Sequence, residues 1–211
     1  MKLRKIITMG LAAIMAVSAM SISVFATDTS VTEEKELITC TAVSSGNVAK
    51  TFDVAIPNGL SSEERDNYIV AAAANALNPQ STITYSQRAK ATNFSVPKNG
   101  ETTNSTEGPF TDITIASNVC AFAVKFERKT GGATSYNARF DYVNAFDSSD
   151  KRSSYLNKAA ASGNCTILFT DGASCYPNDM VVNSKYVYDV FVSANTSGGK
   201  ADITLMTGVQ N

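Results

Sequence analysis

The sequence predicts a mainly β, antiparallel sandwich-like domain with one α-helix packed on it, and three observations lead there. Residues 120–128 alternate, with Cys120, Phe122, Val124 and Phe126 on one side and Lys125 and Glu127 on the other. Residues 136–146 repeat the alternation and gather Phe140, Tyr142 and Phe146 on one face. A period of two belongs to a strand with one face in a core. Turn-forming Gly, Asn, Asp and Ser recur between short apolar runs, while only residues 62–77 carry a strong helical pattern. Short strands punctuated this way suit a β-sandwich.

Ahead of the domain, Lys2, Arg4 and Lys5 precede an apolar stretch over residues 6–17, and Val24-Phe25-Ala26 offers small residues for cleavage. This is the pattern of a secretory signal peptide over residues 1–26, of bacterial style, with 27–211 as a single extracellular domain. The apolar run falls short of the ~20 residues a membrane span needs, and none of that length follows it. The tail, Met206 to Asn211, shows no anchor or sorting pattern, so the expected product is secreted.

Along the chain, residues 36–43 and 50–56 flank Ser44-Ser45-Gly46-Asn47 and predict a hairpin, which Pro57-Asn58-Gly59 ends. Ser61 with Glu64 forms a capping-box pattern for the helix, and Asn78-Pro79 stops it. Tyr68, Ile69, Ala72, Ala73, Ala76 and Leu77 predict its apolar stripe, and Ala71 to Ala74 suggest close approach to a sheet. Residues 81–88, 92–96 and 112–116 read as strands, with a mobile loop over 98–109. Residues 147–154 read as a polar loop, 155–161 as a helical turn and 165–170 as a strand. Residues 185–194 and 201–206 predict a terminal hairpin across the turn at 195–199.

Cys40, Cys120, Cys165 and Cys175 are an even set in an exported chain, which predicts disulfides. Cys165 and Cys175 are the local pair, around the turn at Asp171-Gly172, leaving Cys40 with Cys120. No Cys-x-x-Cys spacing suggests zinc.

The available chemistry is narrow. The chain has no histidine, which removes the Ser-His-Asp triad, the Cys-His pair and the His-Glu-x-x-His zinc site. Gly198-Gly199-Lys200 lacks the strand–loop–helix setting of a phosphate loop. The formal net charge is −1 without a basic run, a poor match to nucleic acid or anionic lipid.

Carboxylates remain: Asp141 and Asp189 sit among strand aromatics, as a glycan hydrolase would need, although alternation places both on a solvated face. Tyr136, Tyr142, Tyr186 and Tyr188 are the candidate stacking rings in a chain without tryptophan. Asp147 and Asp150, and Asp171 with Asn178 and Asp179, put oxygen ligands for calcium in loops, without an EF-hand pattern. A lysine–asparagine isopeptide bond at Lys125 or Lys185 would need both partners and a carboxylate buried together, and the apolar inward faces leave it no place.

No catalytic, cofactor-binding or metal-binding residue is therefore assigned, and no cofactor. The expected function is a non-enzymatic, surface- or matrix-associated binding module whose partner is a wall or glycan polymer or a protein. The alternatives are a carboxylate-dependent glycan hydrolase and a secreted inhibitor or toxin-like factor.

Overall fold

A computed structural model describes residues 35–45, 48–98, 108–159, 163–196 and 199–211. The expected signal peptide, most of the loop over 98–109 and residues 160–162 lie outside them. Two sheets and one helix confirm the expected β-sandwich with a helix upon it. The first sheet has six strands in the order β2 (Val48–Pro57), β1 (Lys35–Ser44), β8 (Asn164–Thr170), β5 (Val119–Thr130), β11 (Gly199–Gln210) and β3 (Ile83–Val96). The second has five, in the order β4 (Phe110–Ile113), β10 (Tyr186–Ala194), β6 (Ser135–Asn144), β7 (Asp147–Ala159) and β9 (Tyr176–Pro177). Neighbours within the sheets run antiparallel except β1 beside β8, which are parallel.

The alternation in β5 and β6 fills the space between the sheets. Phe122, Val124 and Phe126 meet Tyr136, Phe140 and Tyr188 there, and Phe126 stacks on Tyr136 with ring centroids 4.7 Å apart. Phe146 does not join them; it sits in the β6–β7 turn and is 85% exposed.

Helix α1 (Ser62–Leu77) covers the other face of the six-stranded sheet. Its capping box forms as the sequence predicts. Ser61 Oγ accepts from the Glu64 amide at 3.2 Å, and Glu64 Oε2 accepts from the Ser61 amide at 2.8 Å. At the far end Lys50 Nζ donates to the Ala76 carbonyl at 2.8 Å, placing a cation where the helix dipole is negative. The stripe is rotated from the expected one: Asp66, Ile69, Val70 and Ala73 are buried, whereas Tyr68 turns outward. The alanines do allow close approach, with Ala73 and Ala74 packed on Ala121, Ala123 and Leu168.

That rotation places a carboxylate under the helix. Asp66 Oδ1 accepts from Lys125 Nζ at 2.7 Å, and both side chains are 2% exposed. Lys125 is on the face of β5 that alternation predicts, but α1 lies over that face, so the amine is buried. Lys90 Nζ and Thr204 Oγ1 each donate to Asp66 Oδ2 at 2.8 Å. Burial pushes the Asp66 carboxyl up, but the Lys125 charge and the donors around it prevail and hold it low. Glu127 takes Lys125 Nζ at 3.2 Å and Lys129 Nζ at 2.7 Å. Burial opposes its ionisation as well, yet these partners hold it down at about 2.

Three strand expectations change. Residues 81–88 and 92–96 fuse into β3, whose continuous pairing with β11 passes two irregularities. Over Asp147–Ala159 the expected polar loop and helical turn are instead β7. Its Ser, Lys and Arg residues hide the strand because its outer face meets solvent, while inward Ser154 bonds the Tyr142 hydroxyl and Leu156 packs in the core. The terminal hairpin does not form either, since β10 and β11 belong to different sheets. Both strands carry apolar residues that face each other across the sandwich, so the connection crosses between layers.

The expected disulfides are also absent, and all four cysteines are thiols. Thr41, Cys165 and Phe126 are level across β1, β8 and β5. Cys120 is at the opposite end of β5, so roughly 20 Å along the strands separates Cys40 from Cys120. Cys165 lies within the six-stranded sheet, whereas Cys175 precedes β9 on the edge of the other. Sheet layers about 10 Å apart exceed the ~7 Å Cα limit of a disulfide. Burial pushes the Cys40 and Cys175 thiols up to about 11, which suppresses the reactive thiolate. In denaturant without reductant, all four thiols are expected to react with a thiol reagent; a count of two or fewer would contradict this arrangement.

Candidate functional site

With α1 over one face of the sandwich, the outer face of the five-stranded sheet is the broad strand surface left open. A groove of about 530 Å³ crosses it, running over β4, β10, β6, β7 and β9. Alternation sets its floor. Tyr142 and Tyr188 face the core, so their neighbours Asp141 and Asp189 face outward. The two aspartates are direct cross-strand partners between β6 and β10. Like charges in that position stand about 5 Å apart at Cβ and destabilise a sheet unless something compensates them.

The compensation is visible. Arg139 Nη2 donates to Asp141 Oδ2 at 3.1 Å, and its guanidinium lies 4.5 Å over the Phe191 ring. Ser153 Oγ donates to Asp141 Oδ1 at 2.7 Å. Asp189 Oδ1 accepts the Asp112 amide at 2.9 Å. Asp112 has φ of 54°, a left-handed conformation that aspartate tolerates better than most residues. That turn brings a third carboxylate into the groove, and Lys151, Arg152 and Asn178 complete its opposite side.

The sequence brings Asp141 and Asp189 forward and places them on the correct face. It gives no sign of Asp112, whose position depends on backbone geometry at the end of a short edge strand. Lys151, Arg152 and Ser153 escape notice because β7 resembles a loop.

Other candidates fall elsewhere. Tyr136, Tyr142, Tyr186 and Tyr188 are all buried in the inter-sheet core, so they are not stacking platforms. Among the described residues, Phe146 and Tyr176 are the most exposed rings, at 85% and 78%. Of the loop carboxylates weighed for calcium, Asp147, Asp150 and Asp171 have protein partners. Asp147 bonds Ser149, Asp171 bonds the Val182 amide at 2.9 Å, and Asp150 takes Tyr186, Arg152 and Asn144. The Tyr186 hydroxyl, and after it Arg152, hold Asp150 below the usual carboxylate range. Among the described residues, no three His, Cys, Asp or Glu side chains are arranged to hold a metal ion.

Comparison with protein-family models, with curated proteins and with solved structures finds no match to the chain.

The engaged carboxylates suit contact with a hydroxyl- or amine-bearing surface, since each retains lone pairs toward the groove. Replacing Asp189 separates charge from geometry. Asp189→Asn keeps an acceptor for the Asp112 amide and removes the repulsion, so stability is expected to hold or rise by about 0.2–1 kcal/mol. Asp189→Ala removes the acceptor and should lower stability by about 0.5–1.5 kcal/mol. Equal losses for both in urea unfolding would show that the negative charge itself stabilises the sheet.

Proposed function

We propose that the chain is a secreted, non-enzymatic binding module, and that the outer face of the five-stranded sheet contacts its partner. One observation carries this reading. The groove is an open channel across a whole sheet, floored by carboxylates that neighbouring donors hold in fixed positions. An open groove on rigid strands, with carboxylates along its floor, suits an extended polymer better than a small molecule, which favours an enclosed apolar pocket. The missing histidine, the expected export and the mildly acidic chain agree with a wall or glycan polymer as partner.

A glycan hydrolase is the second reading, and the adjacency of Asp141 and Asp189 is what favours it. Cross-strand pairing brings the two side chains close together, and retaining enzymes need their carboxyl groups ~5 Å apart. Against it, Arg139 and Ser153 engage both oxygens of Asp141, and the Asp112 amide engages Asp189. Such contacts occupy three of the four carboxylate oxygens through which a nucleophile or a general acid would have to act.

Co-sedimentation of the secreted chain with cell walls and a panel of insoluble polysaccharides tests the reading. Saturable pelleting is expected on one polymer, weakened about tenfold, or ~1.4 kcal/mol, by the Asp141→Asn, Asp189→Asn double variant at unchanged melting temperature. Pelleting on none of them would overturn the polymer reading and direct the search to soluble proteins. Sugar release that either single variant abolishes would replace it with the hydrolase.

A further inference from the structure

The cluster beneath α1 has the parts of a covalent link. Lys125 on β5 and Asp66 on α1 are far apart in sequence, yet Nζ and Oδ1 lie 2.7 Å apart with both side chains 2% exposed. A second carboxylate, Glu127 Oε2, reaches the same Nζ at 3.2 Å. The other Asp66 oxygen, Oδ2, accepts from Lys90 Nζ and Thr204 Oγ1, each at 2.8 Å. We propose that Lys125 Nζ and Asp66 Cγ condense to an isopeptide bond tying the helix to the sheet.

Each neighbour has a part in that step. Glu127 takes a proton from the Lys125 ammonium and exposes the nitrogen lone pair, which attacks Asp66 Cγ. Negative charge gathers on Oδ2, where Lys90 and Thr204 already donate, as an oxyanion requires. Oδ1 departs as water with two of the three ammonium protons, one of them relayed through Glu127. The third proton remains on the amide nitrogen. One C–N bond forms and one C–O bond breaks, no electrons change hands, and no co-reactant is needed. Packing holds amine and carboxyl together, which supplies the high effective concentration that condensation in water lacks. The product is uncharged, so it also removes the desolvation penalty of a buried ion pair.

The sequence obscures this site for a definite reason. Lys125 alternates onto the face opposite the inter-sheet core, where solvent is the default expectation. The partner is an aspartate on the helix rather than a strand asparagine, and Lys185 is exposed.

Intact-mass measurement of the denatured, purified chain, followed by peptide mapping, decides the matter. The chain is expected to be lighter than its sequence by one water. A branched peptide should join Asp66 to Lys125, with no tryptic cleavage after Lys125. The full sequence mass, with Lys125 cleaved and its amine labelled after unfolding, would overturn the proposal, as would a water loss that maps elsewhere. Two variants keep the test independent of folding. Asp66→Asn should lose ammonia in place of water at the same linkage, and another mass change there would contradict the chemistry. Glu127→Gln should fold with at least a tenfold smaller linked fraction; full linkage would remove Glu127 from the mechanism.

Discussion

The buried contact between Asp66 and Lys125 is the constraint on which the rest of the structure depends. A sheet with α1 on one face and a second sheet on the other must be apolar on both sides, and β5 nearly is. Lys125 interrupts it. An ammonium in that position is tolerable only with a carboxylate in contact, and α1 supplies one from its inward face. The pair therefore specifies how the helix sits, in both rotation and register. An apolar pair of similar volume would bury well but would permit sliding along a smooth surface of alanines. Around it, Glu127 links Lys125 outward to Lys129 and Arg65, and Arg65 reaches Glu36 on β1. Charge thus passes from the core to solvent through a chain of partners.

Covering one side of the sandwich decides where function can reside. The six-stranded sheet gives its outer face to α1, so polar side chains on the five-stranded sheet are the ones presented broadly to the surroundings. Those side chains are organised. The cross-strand aspartates would repel, yet Arg139 bridges toward one and the Asp112 amide engages the other. A fold that only needed a soluble face would place a pair of threonines there at less cost. Retaining two opposed carboxylates with dedicated partners is the physical ground for proposing this face as the contact surface.

What the sequence disclosed follows from how local each signal is. The capping box at Ser61 and Glu64 closes within one helical turn, and it forms as read. The alternations in β5 and β6 reflect which side of a strand faces the inter-sheet core, so they correctly place Phe122, Phe140, Asp141 and Asp189. Non-local facts were hidden. Nothing near Lys125 says that a helix lies over it, and nothing near Asp66 distinguishes it from the solvated acids in the same helix. β7 escaped because, among its described side chains, only Ser154 and Leu156 are buried, set among polar neighbours. The cysteines misled for a related reason. Their number suits disulfides, but pairing depends on the distance between strands, which the β1–β8–β5 order sets and spacing in the chain does not.

The most direct measurement is a double-mutant cycle on Asp66 and Lys125 by urea unfolding. Asp66→Ala leaves the buried amine without its closest partner and should cost about 3–5 kcal/mol, while adding Lys125→Met should recover much of that loss. Losses that simply add, or a cost below about 0.5 kcal/mol for either single variant, would contradict the account, because α1 would then be held by its apolar contacts alone.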